Sequence, residues 1–272
     1  MTTKIIIEPP SRNISLDLDE IWRYRALLYF FTLRNIRSRY RQSVLGIGWA
    51  VLQPFLTMVI FTIVFGIVAK FPSDDIPYPL FTYSALLPWT LFATSLTNVT
   101  QATVQHANLI TKIYFPRLII PISGILAPLA DFFFASFILG GMMVWYGYFP
   151  SWHIIFFPVF LIFTLITAFG FGLWFTTINT RFRDVGYVVP FFIQLWMYAS
   201  PVVYPASRIP EHYQFIYWCN PMSGAIEGFR WCLLGEGSLD LYMGMSVIIV
   251  VLVLLTGLYF FKRMEHMFAD VV

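Results

Sequence analysis

Charge is scarce in this sequence. Of its 272 residues only 11% are Asp, Glu, Lys or Arg, while 58% are hydrophobic. Soluble domains carry about 25% charged residues. That contrast excludes a soluble globular domain and fits repeated bilayer crossings, each needing about 20 mainly apolar residues. Catalytic signatures are absent too. No glycine is followed by lysine, so no G-x-x-x-x-G-K-[ST] phosphate loop exists. There is no CxxC, no His-x-x-x-His and no Gly-x-Ser-x-Gly, and His106, His153, His212 and His266 are scattered. Neither a metal site nor a nucleophile–base set is visible. The first 20 residues hold six charged side chains and no continuous apolar core. A cleavable signal peptide is therefore not expected.

What is present is an all-α pattern of six long apolar segments. The predicted spans are 43–69, 80–104, 118–146, 154–178, 186–206 and 242–261. Fourteen of the 17 Lys and Arg fall on one side of this arrangement: eight before residue 42, then Lys112, Arg117, Arg181, Arg183, Lys262 and Arg263. Only Lys70, Arg208 and Arg230 fall on the other side. The positive-inside bias then puts both termini in the cytoplasm. One transmembrane domain, 1–272, is expected. It comprises a cytoplasmic and interfacial segment (1–41), five spans (42–206), an outer hairpin (207–241), a last span (242–261) and a tail (262–272).

The basic segment ends abruptly. After Arg41 the next charge is Lys70. Residues 19–41 contain no Pro or Gly, and Asp17 with Glu20 resembles a capping box. One helix is predicted there, with Trp22, Tyr29, Leu33, Ile36 and Tyr40 on one stripe. Arg23, Arg34, Arg37 and Arg41 lie on the next. Such a helix should lie in the membrane interface. The arginines orient the chain, and their guanidinium forks could also grip a phosphate.

Polar residues recur at helical spacing inside two spans. Gln42, Gly46, Trp49, Gln53 and Thr57 share one face of the first. Tyr187, Pro190, Gln194, Tyr198 and Pro201 share one face of the fifth. Facing lipid, these groups would lack partners. Both faces should therefore turn toward a protein contact or an aqueous path. Asp131 is the single charge in the third span, and an internal partner is the plain expectation for it.

Segment 207–241 is amphipathic and broken at Asn220–Pro221. Each half is too short to span, so a re-entrant hairpin is predicted. Cys219 would sit at its tip and Cys232 along one arm, too far apart for a disulfide.

The stretches "RYRQSVLGIGWAVLQPFLTMVIFTIVFG" (39–66), "RFRDVGYVVPFFIQLWMYASPVVYP" (181–205) and "NPMSGAIEGFRWCLLG" (220–235) carry a resemblance. The chain is similar to the membrane subunit of ABC exporters for polysaccharides, the Wzm-like O-antigen family, related to capsule and teichoic-acid exporters. The resemblance implies a multi-pass protein of the bacterial inner membrane acting as a homodimer. The channel between the copies would be lined by Gln42, Trp49, Gln53, Thr57, Tyr187, Gln194 and Tyr198. A lipid-linked polysaccharide would present its head group at Arg37, Arg39, Arg41, Leu45 and Gly46. Two ABC ATPase subunits would bring ATP and Mg and push on His106, Asn108, Lys112, Tyr114 and Arg117; this chain itself would hold no cofactor and no metal. Tyr213, Trp218, Asn220, Pro221, Glu227 and Arg230 would belong to an outer gate. Partners would also include membrane lipids, but no nucleic acid. A same-architecture exporter of a small amphiphile, a membrane-bound transferase and a passive channel remain alternatives.

Overall fold

A computed structural model describes residues 18–41, 46, 48–235 and 242–268, with only the backbone of residues 18 and 266. Gln42, Leu45 and the Asp17 cap lie outside the described residues, as do positions 236–241 of the outer segment. Among the described residues there is no strand. The chain runs through α1 (Leu18–Arg23), α2 (Arg25–Tyr40), α3 (Gly48–Phe61) and a π-helical continuation over Thr62–Val68. It continues through α4 (Tyr78–Gln105), the short α5 (Ala107–Ile110), α6 (Ile119–Leu126), α7 (Pro128–Tyr146) and α8 (Phe157–Arg181). It ends with α9 (Val185–Tyr198), α10 (Glu211–Trp218), α11 (Pro221–Leu234) and α12 (Met243–Met264).

Proline opens these helices and glycine closes them. Pro residues occupy the first turn of α4, α7, α8 and α11, where a missing N–H costs nothing. α7 and α11 end at Gly147 and Gly235, both with φ 74°, the left-handed cap that glycine adopts without strain. Asn220 caps α11 by accepting from the Met222 N–H at 3.0 Å.

Among the described residues, four helical stretches are long and apolar enough to cross a membrane: Gly48–Val68, Ile119–Tyr146, Trp152–Arg181 and Met243–Met264. The other two predicted spans differ from these, each for its own reason. α4 has 28 residues, about 42 Å at 1.5 Å per residue, but it is rich in Thr, Ser and Tyr. It lies at the centre of the bundle, packed by α3, α6, α7, α8, α9 and α11. Some buried hydroxyls return to their own backbone, as Thr100 Oγ1 donates to the Leu96 carbonyl at 2.8 Å. Thr103 and Thr176 bond each other across α4 and α8 at 3.0 Å. α9 stops at Tyr198 rather than running to 206. Ser200 precedes Pro201, which disfavours helical geometry at Ser200.

Two more expectations need correcting. The single helix over 19–41 is interrupted at Tyr24. Of the predicted aromatic stripe, Trp22 and Tyr29 are exposed. Phe31 is buried, with Ile21, Tyr24, Leu27 and Leu28 partly buried beside it. In place of a hairpin arm against lipid, the helix after Asn220–Pro221 is enclosed by the bundle. Of α11 only Trp231 escapes full burial, because Gly224 meets Ser246 and Gly228 meets the Phe160 ring. Cys219 and Cys232 are both free, as expected.

The hydrophobic core has two parts. The smaller gathers Phe31, Ile110, Phe115, Phe261 and Phe268. It therefore joins α2, the 105–117 connection and the last helix at one end, the end that carries most of the Lys and Arg. At the opposite end, Ser207 Oγ donates to Asp74 at 3.0 Å and Tyr148 Oη donates to the Asp75 carbonyl at 3.3 Å.

α8 and α12 approach closely where both present glycine. A Cβ on Gly257 would fall 2.7 Å from the Gly170 carbonyl, whereas one on Gly244 would meet nothing within 4 Å. Gly257→Leu is expected to force the pair apart and cost about 1–3 kcal/mol. Gly244→Ala is expected to be neutral or slightly stabilising. Thermal unfolding of the detergent-solubilised protein, followed by size-exclusion fluorescence, distinguishes the two.

Candidate functional site

α3 presents two unlike faces. Gly48, Val51, Leu52 and Phe55 line an apolar groove of about 510 Å3 with Ile138 of α7. On the other side Ala50, Gln53, Pro54 and Thr57 line a cavity of about 250 Å3. Thr90 and Thr94 of α4, Asp131 of α7 and Met197 of α9 also line it, among apolar side chains that include Trp89 and Phe132. The Gln53–Thr57 part of the predicted stripe thus turns away from the apolar side. Thr57 Oγ1 donates to the Gln53 carbonyl at 2.9 Å, and Trp49, one turn earlier, is exposed. Gly46 sits in a turn at φ 51° and its carbonyl accepts from the Trp49 N–H.

α9 has a matching uncovered face. Val189 and Ile193 are buried, whereas Tyr187 is 84% and Tyr198 51% exposed, with Gln194 exposed between them. α9 and α3 both pack on α4. Two helices with aromatic and amide groups on open faces therefore flank one central helix. Such faces suit a hydroxylated ligand, whose rings stack on aromatics and whose hydroxyls exchange hydrogen bonds with amides.

The basic segment divides in two. Arg37 and Arg41 are exposed. Arg39 instead pairs with Asp131, and the Tyr40 hydroxyl donates to the other oxygen of the same carboxylate. Asp131 thereby gains the partners that a carboxylate among apolar helices needs. The sequence marked Asp131 as a lone charge but gave no hint of its partners, since they lie about 90 residues away in an element of uncertain depth. Around this pair, Asn98 Oδ1 accepts from Arg39 at 3.5 Å, and Asn35 Nδ2 donates to Ser123 Oγ at 3.3 Å. A polar cavity of about 240 Å3 lies here, lined by Asn35, Ser38, Arg39, Asn98, Gln105 and His106.

The 105–117 connection mixes anchors with exposed groups. His106 is buried; its Nδ1 lies 2.9 Å from the Ala102 carbonyl and its ring stands edge-on to Phe31. Asn108, Lys112 and Tyr114 are exposed, and Arg117 is half-buried. The Tyr114 hydroxyl reaches Glu20 of α1 at 3.5 Å. Ile110 to Arg117 surround a hollow of about 230 Å3.

The outer residues are mostly anchors. Of Tyr213, Trp218, Asn220, Pro221, Glu227 and Arg230, Tyr213 alone is exposed. Asn220 ties three helices: its Oδ1 accepts from Trp196 Nε1 at 2.8 Å, its Nδ2 donates to Ser200 Oγ at 2.9 Å, and its carbonyl accepts from Ser246. Arg230, 2% exposed, bonds Glu227 at 3.0 Å and the Val202 carbonyl at 3.2 Å, and lies 3.6 Å over the Phe81 ring. Tyr217 donates to Glu227 at 3.2 Å. No cluster of three metal-ligating side chains occurs among the described residues.

Comparison with known proteins adds the following. Residues 26–234 match the family model of the ABC-2 type transporter. The chain is 31% identical over 252 residues to an O-antigen export system permease protein RfbA of Klebsiella pneumoniae, covering 90% of this chain and 95% of that one. It is 31% identical over 214 residues to RfbA of Myxococcus xanthus, covering 78% and 81%. The polysialic acid transport protein KpsM of Escherichia coli is 26% identical over 244 residues, covering 86% and 92%.

Two measurements probe this geometry. Arg39→Gln and Asp131→Asn are each expected to destabilise by about 1–3 kcal/mol, between the surface and fully buried cases. The double variant should lose clearly less than the two together; additive losses in thermal unfolding would mean the pair contributes nothing. Burial holds the His106 imidazole below its usual pKa; its bond to the Ala102 carbonyl partly opposes this and Arg34 reinforces it. The unfolded chain then takes up this proton first, so stability is lost as pH falls below about 6.5. The melting temperature should drop between pH 7 and 5.5, and His106→Phe should flatten that drop.

Proposed function

Because the chain belongs to the ABC-2 type transporter membrane family, we propose that it is the membrane subunit of an ATP-driven exporter of a lipid-linked polysaccharide of O-antigen type. The observation that carries this reading is the pair of uncovered aromatic and amide faces on α3 and α9. A Gln or Tyr exposed to hydrocarbon is costly. A second copy of the chain set against these faces would enclose them as the wall of a glycan channel. Names of the relatives point the same way, two to O-antigen export and one to polysialic acid transport.

In this reading α4 and α9 complete six crossings. α4 can be polar because other helices enclose it, and α9 can be short because the 199–234 segment continues the wall. The basic end is cytoplasmic, by the positive-inside bias. Arg37 and Arg41, exposed and without a carboxylate partner among the described residues, meet the pyrophosphate of the lipid carrier. Asn108, Lys112 and Tyr114 face the ATPase subunit, whose motion reaches the bundle through the core around Phe31 and Phe115. α10 stands at the outer mouth, with Tyr213 toward the emerging chain. Sugar rings slide past aromatic faces by exchanging weak contacts rather than by tight binding.

The test is reconstitution of this chain with its ATPase in vesicles. ATP-dependent movement of lipid-linked glycan into the vesicle lumen is expected. Arg37→Gln with Arg41→Gln should reduce that movement at least tenfold while membrane insertion stays normal. ATP hydrolysis with no glycan movement and no glycan stimulation would contradict the reading.

A further inference from the structure

Two cavities lie in line along one face of α4. Thr90 and Thr94 line the one beside α3, and Asn98, Ala102 and Gln105 line the one under α2. These positions recur every three to four residues, which places them on a single helical face. Asp131 lines the first cavity and Arg39 the second, and the two side chains are bonded to each other. The ion pair, with the Tyr40 hydroxyl on the remaining carboxylate oxygen, is therefore the partition between two otherwise aligned spaces.

The cavity under α2 is mainly polar, and the one beside α3 carries a polar strip within a mainly apolar lining. Each volume, about 240–250 Å3, has room for roughly eight waters at about 30 Å3 apiece. Their linings offer Gln53, Thr57, Thr90 and Thr94 on one side and Asn35, Ser38 and Gln105 on the other. His106 supplies an independent sign. It is 7% exposed, its Nδ1 is engaged with the Ala102 carbonyl, and its Nε2 has no protein partner. A neutral imidazole bonded through Nδ1–H presents a lone pair at Nε2. The ring lines the second cavity, and a donor is what that buried lone pair lacks.

We propose that the two cavities form a hydrated passage inside one protomer, running from the basic end along α4 to the Gln53–Thr57 face of α3, closed midway by the Arg39–Asp131–Tyr40 cluster. Water and small hydrophilic solutes enter the lower half freely. They reach the upper half only when Arg39 leaves Asp131. Arg39 and Tyr40 belong to α2 and its C-terminal turn, whereas Asp131 belongs to α7, so any displacement of α2 relative to α7 opens the closure. The passage rests on this geometry alone and holds whatever solute the protein exports.

Thiol labelling in membrane vesicles tests it. The background is the full-length chain with Cys219→Ser; Cys232 is fully buried. A small membrane-impermeant maleimide is applied from the side that bears residues 107–117. Gln105→Cys should react rapidly. Thr94→Cys should react slowly with the pair intact and at least tenfold faster with Arg39→Gln or Asp131→Asn. The charge-exchanged chain, Arg39→Asp with Asp131→Arg, should restore slow labelling, and the size-exclusion profile shows which variants are folded. Equal rates at Thr94→Cys with the pair intact and broken would overturn the closure. A Thr94→Cys that stays unreactive when the pair is broken in a folded chain would overturn the passage.

Discussion

A hydrogen-bonding group placed in hydrocarbon must find its partner within the protein. In this chain the partners converge on α4. Because six other helices enclose it, α4 can carry Ser84, Thr100 and Thr103 fully buried and bonded and still belong to a membrane bundle. Its bonds to α8 are specific. Asn179 Nδ2 donates to the Thr100 carbonyl at 3.0 Å, while Asn179 Oδ1 accepts from the Gly186 N–H at 2.9 Å. One amide thus fixes α8 on α4 and sets where α9 begins.

The same constraint explains the outer segment. α11 is too short to span yet enters the core, so both its ends need satisfaction. Asn220 supplies the N-terminal cap and ties α9 to α12. The Arg230 guanidinium, buried without an exit to water, is compensated by Glu227, the Val202 carbonyl and the Phe81 ring. A buried pair of this kind adds little stability in itself, but breaking it would strand a charge. Among its described residues this segment is anchored in the bundle through α11, with α10 as its exposed part.

Much of this was legible in sequence. Apolar run length located four of the spans, Asn220–Pro221 located the break, and the 3.6-residue period located the Gln53–Thr57 and Tyr187–Tyr198 faces. Three things were not legible, and each failed for a physical reason. Burial against protein lets α4 be polar, so hydropathy understates it. Pairing across about 90 residues gave Asp131 its partners, and no local pattern encodes such a contact. The break at Tyr24 between α1 and α2 was hidden because no Pro or Gly marks it in the sequence. The family resemblance carried by the three quoted stretches pointed to the right class, but gave no geometry within the protomer.

The central claim is that the open faces of α3 and α9 form the wall along which glycan moves. A photo-crosslinking amino acid at Gln53, Gln194 or Tyr198, with Leu252 on the apolar face of α12 as reference, tests it during ATP-driven turnover. The account predicts glycan adducts at Gln53, Gln194 and Tyr198 and none at Leu252. Adducts at Leu252 with none at the other three would contradict it.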